Sequence, residues 1–161
     1  MATVLYPTRG GDSTQRNQDW ACALAKERNE RLIFLYVSNV SFLDRLGGMG
    51  GMARVDILEE QLDDLGEFLM VMAQERAKRS GVESDRVVRH GRFRPAISEV
   101  IEEYGVSTLV LGRPARDTAN TTAEYISLVA QTMAADCNVE VFVVFEGEVV
   151  EEYRPGATTE A

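Results

Sequence analysis

Five arginines stand where apolar stretches of the sequence end. Arg9 follows Thr3-Val4-Leu5-Tyr6, Arg92 and Arg94 follow Val87-Val88, and Arg113 and Arg116 follow Val106 to Leu111. Guanidinium groups gathered at one edge form charge-assisted hydrogen bonds to carboxylates or phosphates and draw anions to that edge. The last of these loops enters a helix through Asn120-Thr121-Thr122. Free amides and hydroxyls at a helix start are suited to holding phosphate. A local reading stands beside this one: the same arginines pair with Asp12, Asp117 and nearby glutamates, as surface ions commonly do. The sequence leaves both open.

Other reactive residues offer less. His90 is the single histidine. It falls at a strand end with no serine or cysteine arranged as a partner, so it reads as structural or exposed. Cys22 lies in a helical stretch and reads as core, while Cys137 has no activating neighbour. Neither cysteine has metal-ligand spacing. Glu59, Glu60, Asp63, Asp64 and Glu67 read as a solvated helix face. Gly48-Met49-Gly50-Gly51-Met52-Ala53 matches G-x-G-x-x-A, but about ten residues separate it from the preceding strand, which a dinucleotide turn does not allow. The four glycines between Gly47 and Gly51 read as a flexible loop. The residues assign no catalytic group and no metal, and an enzyme such as a slow nucleotide hydrolase has no base or metal-ligand set here.

The chain around these residues has 161 positions, the length of one ordinary domain, with 45% hydrophobic and 27% charged residues. A net charge of −9 argues against nucleic acid and anionic membrane surfaces as partners. Fifteen of the 17 cations are arginine. No apolar run approaches the ~20 residues of a membrane span, so no membrane insertion is expected. Residues 1–7 lack a basic region followed by a long apolar one, so no signal peptide is expected. A cytoplasmic protein is the expectation.

The apolar pattern then supplies the elements. Residues 3–6 predict a buried first strand. Asp12 with Gln15 predicts a capping box opening a helix to about Arg28, with Trp20, Ala21 and Leu24 inward. Leu32 to Val37 is continuously apolar, as a strand covered on both faces is. Leu58, Leu62, Leu65, Leu69, Met72 and the stem of Arg76 predict an amphipathic helix over 56–80, stopped by Gly81. A weaker strand over 82–90, a helix from Pro95 to Tyr104, a strand over 106–111, a helix over 122–135 and a strand over 139–145 follow. Regular β-α alternation predicts a single-domain, three-layer α/β/α sandwich around a parallel sheet, with ligands beyond the carboxyl ends of the strands. The domain is placed at 1–147, and 148–161 reads as an acidic, mobile tail.

In order and spacing, several segments resemble the universal stress protein family from Thr3 to Phe145. Val4-Leu5-Tyr6-Pro7-Thr8 is similar to its first strand and exit. Gly91-Arg92-Phe93-Arg94-Pro95-Ala96-Ile97 is similar to its third-helix entry, Thr108 to Gly112 to its fourth-strand ending, and Glu124-Tyr125-Ile126 to its fourth-helix start. The resemblance implies five parallel strands in the order 3-2-1-4-5 and a homodimer through the last strands. It also implies a nucleotide site with an acidic residue after strand one and a G-x2-G-x9-G-S/T loop after strand four. Here Arg9 replaces the acid, Ala115 the second glycine, and Asn120-Thr121 the Gly-Ser pair, in a loop about five residues shorter. Pro7, Thr8, Val37, Gly112, Thr121 and Thr122 carry over. A Cβ at 115 and the missing N–H of Pro114 oppose the backbone cradle that phosphate needs.

The expectation is therefore a regulatory or protective, non-enzymatic protein without the family's usual ATP mode. The alternative is a sensor that binds ATP, AMP or another phosphate-bearing anion through a diverged cleft. Its candidate residues are Pro7, Thr8, Arg9, Val37, Gly112, Arg113, Arg116, Asn120, Thr121 and Thr122. No cofactor is fixed. A homodimer through Val139 to Phe145 is expected on separate grounds too, since an open apolar edge strand invites aggregation. An unidentified protein partner is left open.

Overall fold

The computed structural model describes residues 2–8, 15–38, 52–117 and 121–156, without the side chains of 52–59 and 62. Its elements in chain order are β1 (Thr3–Thr8), α1 (Gln15–Arg28), β2 (Arg31–Ser38), α2 (Met52–Arg79), β3 (Ser84–His90), α3 (Phe93–Tyr104), β4 (Thr108–Gly112), α4 (Ala123–Asp136), β5 (Glu140–Phe145) and β6 (Glu148–Tyr153). Asp12 and the cluster Gly47 to Gly51 lie outside the described residues, so their expected cap and loop do too.

One sheet runs β3-β2-β1-β4-β5-β6. The first five strands are parallel, in register Leu5 with Ile33, Leu5 with Leu109, Tyr36 with Val88 and Val110 with Phe142. β1 is buried throughout and β2 everywhere except Arg31, which is why both sequences are continuously apolar. Period two divides the strands between two cores. Leu5, Ile33, Leu35, Leu109, Leu111, Val141 and Val143 pack against α3 and α4 through Ile97, Val100, Ile126, Val129 and Met133. Val4, Tyr6, Phe34, Tyr36, Val110, Phe142 and Val144 pack against α1 and α2 through Ala21, Leu24, Met70, Ala73 and Ala77. The three layers follow from these two faces.

The sheet has six strands rather than five. Glu148–Tyr153, assigned from sequence to the acidic tail, pairs antiparallel with β5. Glu146 and Gly147 both have positive φ (51° and 84°), the turn whose twist suits a two-residue hairpin. The amide of Gly147 donates to Asn17 Oδ1 at 3.0 Å, which ties the hairpin to α1. Ser127 Oγ and Tyr153 Oη both donate to Glu151, at 2.6 and 2.5 Å. Three glutamates in six residues hide this strand in the sequence, and one of them, Glu151, is held by Ser127 of α4. The consequence for assembly is direct. β6 occupies the edge of β5, so the open edge expected to draw a partner to Val139–Phe145 is filled by the chain itself.

A second difference concerns α2. The repeat predicts Leu65 and Met72 inward, yet they are 52% and 45% exposed, as are their neighbours Phe68 (60%) and Val71 (41%). Leu69 is half-buried, and the side chains of Leu58 and Leu62 lie outside the described residues. Gly66, Met70, Ala73 and Ala77 face the sheet instead. The aromatic rings of Tyr6, Phe34 and Tyr36 fill that side of the sheet. A Cβ at Gly66 would stand 2.3 Å from the Tyr36 ring. Small residues bring the helix down onto the rings, and the larger ones are turned away.

Helix ends follow local chemistry. α3 begins at Phe93 rather than Pro95, with Pro95 still in the first turn, where its missing N–H costs no helical bond. Gly105 ends it in the left-handed conformation (φ 63°), its N–H donating to the carbonyl of Ile101. Among the described residues no helix is long and apolar enough to cross a membrane.

Candidate functional site

The strand order reverses between β1 and β4, and the crevice beyond their carboxyl ends is the ligand position of open α/β sheets. Pro7 and Thr8 end β1 there, and Gly112 ends β4. Together with Tyr6, Leu111, the first residue of α3 (Phe93) and Ile126 of α4, they line a cavity of about 10 Å³. That space holds one water at most. Phe93, at the start of α3, is buried. Gly112 is confined as well, since a Cβ there would lie 2.9 Å from the Tyr6 hydroxyl and 3.2 Å from Asn17 Nδ2.

The other candidates surround this crevice. Val37 is buried in the core between the sheet and α3, so it packs rather than lines the cavity. Arg113 follows Gly112 directly, half-buried, its backbone N–H donating to Val144 O at 2.8 Å. Pro114 is buried, while Ala115 and Arg116 are exposed. Thr121 is buried and Thr122 is the N-cap of α4. Arg9 and Asn120 lie outside the described residues. Pro7, Thr8 and Gly112 therefore come together, with Arg113, Thr121 and Thr122 on adjoining segments.

The start of α4 is already supplied with acceptors. Thr122 Oγ1 accepts from the Tyr125 amide at 3.0 Å. Asp117 Oδ1 accepts from the Ala123 amide at 2.9 Å. A carboxylate at the positive end of a helix is the favourable arrangement that a phosphate would otherwise provide. The sequence marks Asp117 only as a partner for arginine, because six residues before Ala123 is not capping-box spacing. Phe93 and Ile126 carry no signal of their place here either, since a core residue and a crevice residue look alike in an apolar pattern.

The arginines divide. Among the described residues no ion pair joins Arg92, Arg94, Arg113 or Arg116 to a carboxylate, whereas Arg28, Arg31, Arg86 and Arg89 pair with Glu140, Asp85, Glu67 and Glu103. The former group stands at the carboxyl edge of the sheet or in the loops leaving it. His90 Nε2 meets Asp63 Oδ2 at 2.9 Å on the surface, away from the crevice, as a structural contact. No group of three metal-ligating side chains occurs among the described residues.

Such a crevice, in a sheet of this order, defines a doubly wound α/β protein built around a strand-order switch. The model of the universal stress protein family matches residues 1–144, and the chain belongs to that family. Solved structures agree on the fold. A protein of the family from Burkholderia pseudomallei is 20% identical, with 89% of this chain and 95% of that one aligned at a TM-score of 0.64. The universal stress protein UspA of Lactobacillus plantarum is 16% identical, with 89% and 97% aligned at 0.70. A universal stress protein in complex with cAMP is 18% identical, with 90% and 97% aligned at 0.57. No curated protein sequence matches the chain.

Proposed function

We propose that this chain is a regulatory or protective member of its family that acts without catalysis and without the usual ATP mode. The observation that carries this reading is the start of α4, where Asp117 and Thr122 already accept from the amides that phosphate would seek. The cavity lined by the described residues at the switch between β1 and β4, about 10 Å³, supports it, since small-molecule sites run to ~300 Å³ or more.

A second reading has its own support. Arg92, Arg94, Arg113 and Arg116 lack carboxylate partners among the described residues, and a structural neighbour is known in complex with cAMP. In that reading the protein senses an adenine nucleotide or another phosphorylated metabolite by its phosphate, held through a diverged, arginine-rich cleft.

Thermal shift with ATP, AMP, cAMP, phosphate and sulfate separates the two. A ligand at 100 times its Kd adds about 2.7 kcal/mol of stability. The first reading expects no nucleotide-specific shift. The second expects a shift that Arg113→Ala with Arg116→Ala removes, beyond the general salting effect of sulfate.

A further inference from the structure

Along the outer face of α2, Gln61, Leu65, Phe68, Met72, Glu75 and Arg79 follow one another at alternate intervals of four and three residues. That is the spacing by which two helices pack side by side. Leu65, Phe68 and Met72 on this seam, and Val71 beside it, are exposed. Exposed side chains at such spacing are an interaction surface rather than scattered apolar residues.

Charge indicates what covers it. Glu60, Asp63, Asp64 and Glu67 lie before the apolar centre; exposed Lys78 and Arg79 lie after it, together with Glu75, while Arg76 turns inward with its Nε buried. Asp63 and Glu67 are paired with His90 and Arg86 of β3. Among the described residues no ion pair engages Asp64, Lys78 or Arg79. The unpaired Asp64 before the centre and the unpaired Lys78 and Arg79 after it complement each other when the helix is reversed against a copy of itself, with Glu75 the one acidic exception in the second half. An all-acidic or all-basic partner would satisfy one half and oppose the other.

We propose that a second copy of this chain docks on α2, antiparallel, about a two-fold axis at the level of Met70 and Val71. Phe68 then faces Met72 of the second copy, Val71 lies beside its own counterpart, Asp64 faces Lys78, and Gln61 faces Arg79. The two-fold repeats each unlike contact. The helix dipoles are opposed, which also favours this direction. This interface uses the helix layer and leaves β6 in place. One helix pair buries less than the ~800 Å² per partner of a standard interface, so the association is weak and concentration-dependent.

Sedimentation velocity of the full chain, from about 1 to about 500 µM, reads this directly, since Kd in the micromolar range is expected of so small a surface. Wild type passes from monomer to dimer across that range. Phe68→Glu, at an exposed position, weakens dimerisation roughly tenfold or more, as loss of a central aromatic does. Circular dichroism and melting confirm that the variant folds. Asp64→Lys places lysine against lysine and weakens the dimer; adding Lys78→Asp restores it. That rescue stands whether or not Phe68→Glu folds well. A monomer at every concentration overturns the proposal and leaves the stripe covered by the chain's own residues or by a different protein. A dimer indifferent to Phe68→Glu, or no rescue by the charge exchange, overturns it as well.

Discussion

Replacing Gly66 by alanine sets two effects of opposite sign against each other. Alanine in a helix interior is favoured over glycine by about 1 kcal/mol. Against this, the new Cβ would lie 2.3, 2.4 and 2.8 Å from three atoms of the Tyr36 ring. Carbon atoms pack at ~3.5–4.0 Å, so relief requires more than ~1 Å of movement. The ring is nearly fully buried in β2 and cannot swing into solvent. Overpacking of this kind costs about 1–3 kcal/mol, with the larger value expected for a rigid ring. The net expectation is a loss of about 1–2 kcal/mol, or a Tm lower by roughly 2–8 °C for a chain of this size. Denaturant titration followed by circular dichroism measures it. A coupled variant sharpens the test. In a Tyr36→Ala background, itself costing about 3–5 kcal/mol, the obstacle is gone and Gly66→Ala becomes stabilising by up to ~1 kcal/mol. If Gly66→Ala stabilises the wild-type chain, the close seating of α2 on the aromatic face is refuted.

Further expectations follow from other contacts. Removing residues from Glu148 onward uncovers the edge of β5; the truncated chain should melt lower and self-associate more strongly, measured by light scattering during a thermal scan. Burial, reinforced by Asp19, pushes the Cys22 thiol up to about 11. Because the folded value lies above the unfolded one, its contribution to stability is intact below pH ~9 and is lost as pH rises towards 11, visible as a falling denaturation midpoint. In native protein a thiol reagent should label half-buried Cys137 well before Cys22, and both at similar rates in urea, by mass spectrometry. Glu140→Gln breaks a partly exposed pair with Arg28 (3.1 Å) and should cost no more than about 1 kcal/mol by denaturant titration.

The alternation of elements is legible because strands buried on both faces must be continuously apolar, whereas a strand covered on one face alternates with polar residues. Val4 to Tyr6 and Leu32 to Val37 show the continuous pattern. The end of α3 is legible because Gly105 adopts a backbone that other residues avoid. β6 is hidden by its glutamates, which face solvent or are held by Ser127 and Tyr153, so its charge suggests a tail. The inward face of α2 is obscured because large apolar residues ordinarily mark the core. Here the aromatic rings of β1 and β2 supply the bulk, and glycine and alanine meet them. At the site, Pro7, Thr8 and Gly112 are legible from their place at strand ends. The place of Phe93 in the cavity wall and the cap by Asp117 depend on three-dimensional approach between separate segments, which local spacing does not encode.

The central claim is that the crevice between β1 and β4 does not take ATP in the family's usual manner. Isothermal titration of the full chain with ATP and magnesium tests it most directly. The proposed reading predicts no saturable heat, corresponding to a Kd weaker than about 1 mM. A one-to-one isotherm with a low-micromolar Kd contradicts it, and the nucleotide-sensing reading then takes its place.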